Sequence, residues 1–502
     1  MPPGCHVGCI PVTSDRRRAG RPRPPAGPEL TPERVAPRRG WKRGRAAHVE
    51  PGSIYLGTTV QVAGLFPFVQ AGSLPAEGVP IGPDLLANEL VCVDPPGWVG
   101  RLTTNPSVWI QGQPGAGKSA VAKRLCLGLV AYGCKLLVPG DVKGEYTSLV
   151  RALGGQVIRI GRGLDAINPL DSGPLGRHVY GLPAEQRDRM LAEINGRRGE
   201  LLHALLATPY GLTRRPGAEE STAINTAIRL AAETQPAGVD PTIPDVIRVL
   251  RESPQSLRDR LITRDEASYL AAVRPVIAAL ENLCDGPLAG LFDRQTTTPV
   301  DLSQPALAID LSPILTAGDH IVAAGLLATW AYSYAAIDTA RAFGLLPGQV
   351  VLPLDELWRA LRAGPGMVAA IDAIIRLNRA KGEIVIMATH GLADLEALPT
   401  EEDRAKARGL MERCDIAILL AMPVSELERV SAQRPLTASE IAIVASWASP
   451  TASGLDVATM HPGRGKALIK IGQRVGIPAR LQLTAAEHRL YDTDAAMRRG
   501  RS

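Results

Sequence analysis

Residues 112–119 read "GQPGAGKS", two bounding glycines and a terminal Lys-Ser pair in the spacing G-x-x-x-x-G-K-[ST]. The chemistry this spacing serves is phosphate binding. Glycines let successive backbone N–H groups curl around an anion, and a helix that starts at the loop adds the positive end of its dipole. Gly112, Gln113, Pro114, Gly115, Ala116, Gly117, Lys118, Ser119 and Ala120 are therefore the expected contacts to a nucleoside triphosphate. Lys118 would reach the β and γ phosphates, and the Ser119 hydroxyl would join a magnesium shell. The pattern gains weight from its flanks, because the apolar run "SVWIQG" precedes it and a helical pattern over 117–132 follows. An ordinary glycine-rich turn gives no reason for the Lys-Ser pair.

Such a site needs a second half, an apolar strand that ends in aspartate, and "VVLPLDEL" supplies one. Asp355 is the expected magnesium ligand, and Glu356 is placed to orient or deprotonate an attacking water. Pro353 lies inside that run and removes one ladder hydrogen bond, so the strand is either bulged there or paired on one side only. "IVIMATHGLADL" puts Thr389 and His390 at the end of another apolar run, where His390 could sense the γ phosphate or simply begin a turn. Transition-state charge calls for an arginine, and Arg376, Arg379 and Arg464 are the candidates. "DVKGEY" (141–146) follows the apolar "CKLLVPG", so Asp141, Lys143 and Glu145 emerge near the nucleotide if their strand shares its sheet. The plainer alternative is a turn at Gly144 with Glu145 favouring a helix N-terminus.

The elements that must position these groups alternate. From residue 107 strand and helix patterns follow one another, then resume at "ALAIDL", "QVVLPLDE", "EIVIMATH" and "DIAILLA". This order predicts an α/β protein with a mostly parallel sheet and helices on both faces. Between the two blocks, residues 183–285 repeat apolar positions at three- and four-residue spacing, which predicts an all-helical insertion. "KALIKIG" and "ARLQLT" form an expected edge hairpin. The boundaries read as a basic tail over 1–50, a small β-rich segment over 51–104, the sheet domain over 105–180 and 300–490, the helical insertion over 181–299, and a C-terminal tail over 491–502.

The net charge of +6 belongs to one place. Residues 16–46 hold eleven Arg or Lys against two Glu, a net of +9 that leaves the rest of the chain at −3. The body therefore carries no basic excess of the kind that grips nucleic acid nonspecifically, and 4% aromatics argues against a base-stacking platform. The tail is proline-rich and apolar-poor, the composition of an unfolded arm. Seven cysteines, at 5, 9, 92, 126, 134, 284 and 414, make no even framework and suit a reduced, cytoplasmic chain. "CHVGC" (5–9) resembles half of a zinc site without a second pair. The apolar stretch 321–337 reads as a buried core helix, being short for a membrane span.

Together, "GQPGAGKSAVAKRL", "DVKGEYTSLVRALGGQVIRIGRGLDAINPLD", "GPLAGLFDRQT", "LPLDELWRAL" and "GKALIKIGQRVGIPARLQLTAAE" resemble the TraC-like conjugation ATPases of type IV secretion systems, within the HerA/FtsK superfamily of RecA-like P-loop motors. The resemblance spans roughly residues 55–495. It implies ATP and magnesium as cofactors, assembly into a ring, a hexamer in this class, and work beside channel proteins at the cytoplasmic face of a membrane, with DNA as a further partner. It also implies the phosphate and metal roles given above to Lys118, Ser119, Asp355 and Glu356, and it favours Arg379 as the arginine. His390 stands where relatives carry glutamine. The competing expectations are a DNA translocase or coupling ATPase of the same superfamily, and a nucleotide-gated scaffold without turnover.

Overall fold

The computed structural model describes residues 74–491, apart from 174–175, 347, 356–360, 362–367, 369–382, 397, 399 and 449–462. Glu356, Arg376 and Arg379, the basic tail and the "CHVGC" pair lie outside the described residues.

Eleven strands are described. A two-stranded antiparallel pair, β1 (Val79–Pro83) and β2 (Leu90–Val93), stands apart from a nine-stranded sheet. That sheet is built from β3 (Val108–Gln111), β4 (Lys135–Asp141), β5 (Gln156–Arg159), β6 (Ala306–Asp310), β7 (Val350–Leu354), β8 (Ile384–Thr389), β9 (Ile416–Leu420), β10 (Lys466–Ile471) and β11 (Ile477–Arg480). Across the sheet the order is β11-β10-β9-β3-β8-β7-β4-β6-β5. The seven strands from β9 to β5 run parallel, and β10 and β11 close one edge antiparallel. Every residue of β3, β6, β7, β8 and β9 is buried, which is why these strands read as unbroken apolar runs without alternation.

Pro353 is accommodated by one-sided pairing. β7 pairs with β8 from Val351 through Leu354, while its pairing with β4 stops at Val351. β4 carries the irregularity instead: between Val138 and Asp141 it spends one more residue than β6, a bulge across "PG". A Cβ on Gly140 there would fall 2.6 Å from Leu326 Cδ2, so the long helix behind the sheet sits directly on the backbone.

The helices, in chain order, are α1 (Lys118–Ala131), α2 (Thr147–Ala152), α3 (Ala184–Leu206), α4 (Ala218–Thr234), α5 (Ile243–Glu252), α6 (Gln255–Arg260), α7 (Glu266–Cys284), α8 (Asp319–Ala342), α9 (Ala393–Glu396), α10 (Glu401–Glu412), α11 (Val424–Gln433), α12 (Ala438–Ala448) and α13 (Ala485–Tyr491). Helix α8 covers the apolar stretch noted in the sequence and packs against β4, with 89% of its most apolar window buried. Helices α3 to α7 form the insertion between β5 and β6. Two of its helices start on side-chain caps: Thr242 and Asp245 form a reciprocal box at α5, as do Asp265 and Ser268 at α7. The insertion is fixed to the sheet domain by buried Arg198, which donates to Leu170 O at 2.6 Å and pairs with Asp240.

Helix α2 begins at Thr147, past a turn at Gly144. Gly144 turns through φ +70°, and the Asp141 carboxylate takes the Glu145 N–H at 2.9 Å and the Tyr146 N–H at 2.7 Å before the helix starts. Strand β1 extends to touch the sheet edge through an Asp84–Ala479 bridge and a Leu85 N–H to Pro478 O bond of 2.8 Å. The segment before residue 104 is thus tied to β11 in its described part.

Candidate nucleotide site at the ends of the central strands

Strand β3 lies between β8 and β9, while the chain leaves it for β4, three places away. This is the point where the strand order reverses, and ligands of open parallel sheets gather there beyond the carboxyl ends of the strands. The loop "GQPGAGKS" begins immediately after β3. Gly115 (φ +79°) and Gly117 (φ +110°) adopt backbone angles that cost other residues strain, and Gly117 is the N-cap of α1. A Cβ at Gly115 would meet no heavy atom within 4 Å, so the loop is open to space on that side.

Neighbouring strands hold the loop on both sides. Gln113 N–H donates to Ala421 O at 2.9 Å, just past β9, and Gly465 N–H donates to Ala116 O at 3.0 Å, just before β10. Gly112 has no space for a side chain, since its Cβ would lie 2.8 Å from Leu420 Cβ. The second contact brings Arg464, one residue before Gly465, beside this chain's own phosphate loop.

Lys118 is 8% exposed and its ammonium is tied into the loop. Nζ donates to Gly112 O at 2.8 Å and Gln113 O at 3.3 Å, and lies 2.9 Å from His390 Nδ1. An ammonium only donates, so Nδ1 is the accepting side of this contact. The sequence singled out Lys118 and His390 separately; the structure puts them in contact. Thr389 pairs in register with Gln111, and its buried hydroxyl finds no hydrogen-bond partner among the described residues.

Asp355 follows β7, one residue past the Leu354–Met387 pair that joins β7 to β8. It therefore leaves the sheet next to the strand that carries His390. Its charge reaches the start of α2: burial raises the phenol of Tyr146, the N-cap of that helix, well above its ordinary value, and Asp355 is the foremost charge adding to that rise. One hydroxyl, Ser119, and one carboxylate, Asp355, suit a magnesium that draws most of its shell from water and phosphate oxygens.

Glu145 was expected at the nucleotide, and the structure gives its carboxylate another partner. Oε2 lies 3.3 Å from the ammonium of Lys123, a residue of α1 with no exposed surface. Lys123 also sits 5.6 Å from the ring centre of Tyr146 and 6.0 Å from that of Tyr491. A buried ammonium needs such company, so "DVKGEY" braces α1 from behind. Asp141 is 4% exposed, and burial pushes its carboxyl up to about 6, against the two N–H groups that favour its charged form.

Sequence reasoning missed the group at the carboxyl end of β3, one residue before the phosphate loop. Gln111 is fully buried; its Oε1 accepts from Trp109 Nε1 at 2.9 Å and its Nε2 donates to Glu426 Oε1 at 3.0 Å. The one visible signal was a glutamine closing an otherwise apolar strand.

No protein-family model and no curated protein matches the sequence. Among solved structures, VirB4 of Thermoanaerobacter pseudethanolicus is similar at TM-score 0.61 and 21% identity, over 83% of this chain and 100% of that one. The bacterial conjugative coupling protein TrwBdeltaN70, in complex with sulphate, reaches TM-score 0.47 at 13% identity, over 75% of this chain and 86% of that one. At 21% identity the first likeness is one of fold. The chain has the RecA-like P-loop fold of that VirB4 structure, a mostly parallel sheet with the phosphate loop after its central strand.

Proposed function

We propose that this chain is an ATP-hydrolysing motor that energises conjugative transfer or type IV secretion at the cytoplasmic face of a membrane channel. The observation that carries the reading is the Lys118 ammonium, held by Gly112 O and His390 Nδ1 at the point where the strand order reverses, in a fold shared with VirB4. Lys118 would hold the β and γ phosphates, with the backbone N–H groups of 112–120 around them. Ser119 and Asp355 would hold magnesium, which supplies neutralisation of charge developing on the phosphates. Glu356 would orient the attacking water, and His390, next to Lys118, would report the γ phosphate. The arginine would be Arg379, by resemblance, or Arg464, whose neighbour Gly465 bonds to the loop of the same chain.

The working form in this reading is a ring, a hexamer, with channel proteins as its partners and DNA as a further one. Steady-state ATP turnover, measured with and without duplex DNA across the oligomeric states separated by size, tests it. Turnover that rises on ring formation and responds little to DNA is the expected result. Strong stimulation by DNA with directional movement would replace the secretion motor by a translocase, and absence of turnover in every oligomeric state would remove the enzyme.

A further inference from the structure

Glu426, in the first turn of α11, is 7% exposed, a costly place for a carboxylate unless donors converge on it. Three do. Gln111 Nε2 donates to Oε1 at 3.0 Å from the end of β3, Arg429 Nη1 donates to Oε2 at 3.0 Å, and the Leu392 N–H donates to Oε1 from the loop after β8. The Gln111 amide is itself turned by Trp109, so its donor side faces Glu426. The approach is close enough that a Cβ on Gly391 would lie 3.0 Å from Glu426 Oε1. Residues 391 and 392 immediately follow His390, whose Nδ1 is 2.9 Å from Lys118 Nζ. One carboxylate therefore joins the strand that enters the phosphate loop to the loop that carries the histidine.

We infer that Glu426 is a positioning residue for the nucleotide site: it fixes the backbone after His390 against β3 and so sets the His390–Lys118 contact. It acts through His390 and touches no reacting atom. The inference rests on the ATPase reading for its kinetic consequence, and on the Leu392 hydrogen bond for its structural one. An apolar residue of similar size would fill the same space, yet would leave Gln111 and Leu392 with unpaired donors and the loop without its tether.

The test uses the full chain and three variants, Glu426→Ala, Glu426→Gln and His390→Ala, with the Glu426→Ala/His390→Ala double variant. Glu426→Ala is expected to lower kcat by roughly tenfold while the ATP dissociation constant moves less than about twofold, a split that a general loss of folding does not produce. Glu426→Gln keeps an acceptor for the Leu392 N–H and should recover most of that kcat. Because Glu426 acts through His390, the double variant should be no slower than His390→Ala alone. Hydrogen exchange supplies a readout independent of turnover: the Leu392 amide should exchange at least about tenfold faster in Glu426→Ala, with β8 unchanged. Unchanged kcat in Glu426→Ala, or additive losses in the double variant, would overturn the positioning role. Absence of turnover in the wild type would instead sink the ATPase reading, while accelerated Leu392 exchange would still uphold the tether. Should Glu426→Ala fail to fold, Glu426→Leu, which fills the same space and still removes the acceptor of the Leu392 N–H, carries the same kinetic and exchange comparison.

Discussion

At the scale of single residues, the proposed function divides the ends of the parallel strands into groups that face a ligand and groups that brace the ligand's frame. Lys118 belongs to the first. Lys118→Ala is expected to weaken ATP binding and to cut turnover by roughly 100-fold or more, read by nucleotide titration and phosphate release. Glu145 now belongs to the second. Glu145→Ala leaves the buried Lys123 ammonium without its carboxylate, and should cost about 2–4 kcal/mol in denaturant unfolding with little change in ATP affinity. The opposite pattern, lost affinity at full stability, would return Glu145 to the nucleotide. Asp141 adds a pH signature. Its carboxyl is raised by burial from 3.8 to about 6, so the protonated group stabilises the fold at low pH and that contribution is lost as pH rises through about 6. The wild-type stability profile minus that of Asp141→Asn should decline between about pH 4 and about pH 6, by roughly 2–3 kcal/mol. A flat difference would contradict the assignment. The phosphate loop was legible at this scale because its backbone geometry dictates glycine at fixed spacing. The Gln111–Glu426 bond was not, because its partners lie 315 residues apart and neither type is unusual alone.

At the scale of elements, strands buried on both faces announce themselves as apolar runs, and the sequence pattern located β3, β4 and β6 to β9 for that reason. The order in which they pair left no such mark: nothing in "SVWIQG" states that it lies between β8 and β9 and away from β4. The Pro353 question, bulge or one-sided pairing, had two answers in sequence and one in structure, while the bulge fell in β4 at Pro139 and Gly140. Start points of helices were legible to within a turn where a glycine or a cap intervenes; α2 is delayed by Asp141 capturing two N–H groups, a contact no periodicity encodes. The β4–α8 contact makes a direct prediction. Gly140→Ala pushes a methyl group to 2.6 Å from Leu326 Cδ2 and within 3.2 Å of Thr329 Oγ1, and should destabilise the domain by about 1–3 kcal/mol in chemical denaturation. A Leu326→Ala change in the same chain should recover part of the loss, by vacating the space the new methyl group needs.

At the scale of the whole molecule, charge and fold point the same way. The positive excess of the chain lies in residues 16–46, and the remainder sums to −3, so strong, salt-sensitive gripping of duplex DNA is not expected of the sheet domain and its helical insertion. The likeness to VirB4 extends over 83% of the chain, and this chain's own sheet presents Lys118, His390 and Asp355 at the ends of neighbouring strands. The central claim is that this constellation hydrolyses ATP. Its most direct measurement is phosphate release by the purified chain, taken across the oligomeric states separated by size, wild type against Glu356→Gln, with ATP binding recorded on both. Turnover in the wild type, lost by roughly 100-fold or more in Glu356→Gln while ATP still binds, is the predicted result; equal phosphate release by the two proteins, or none from either, would contradict it.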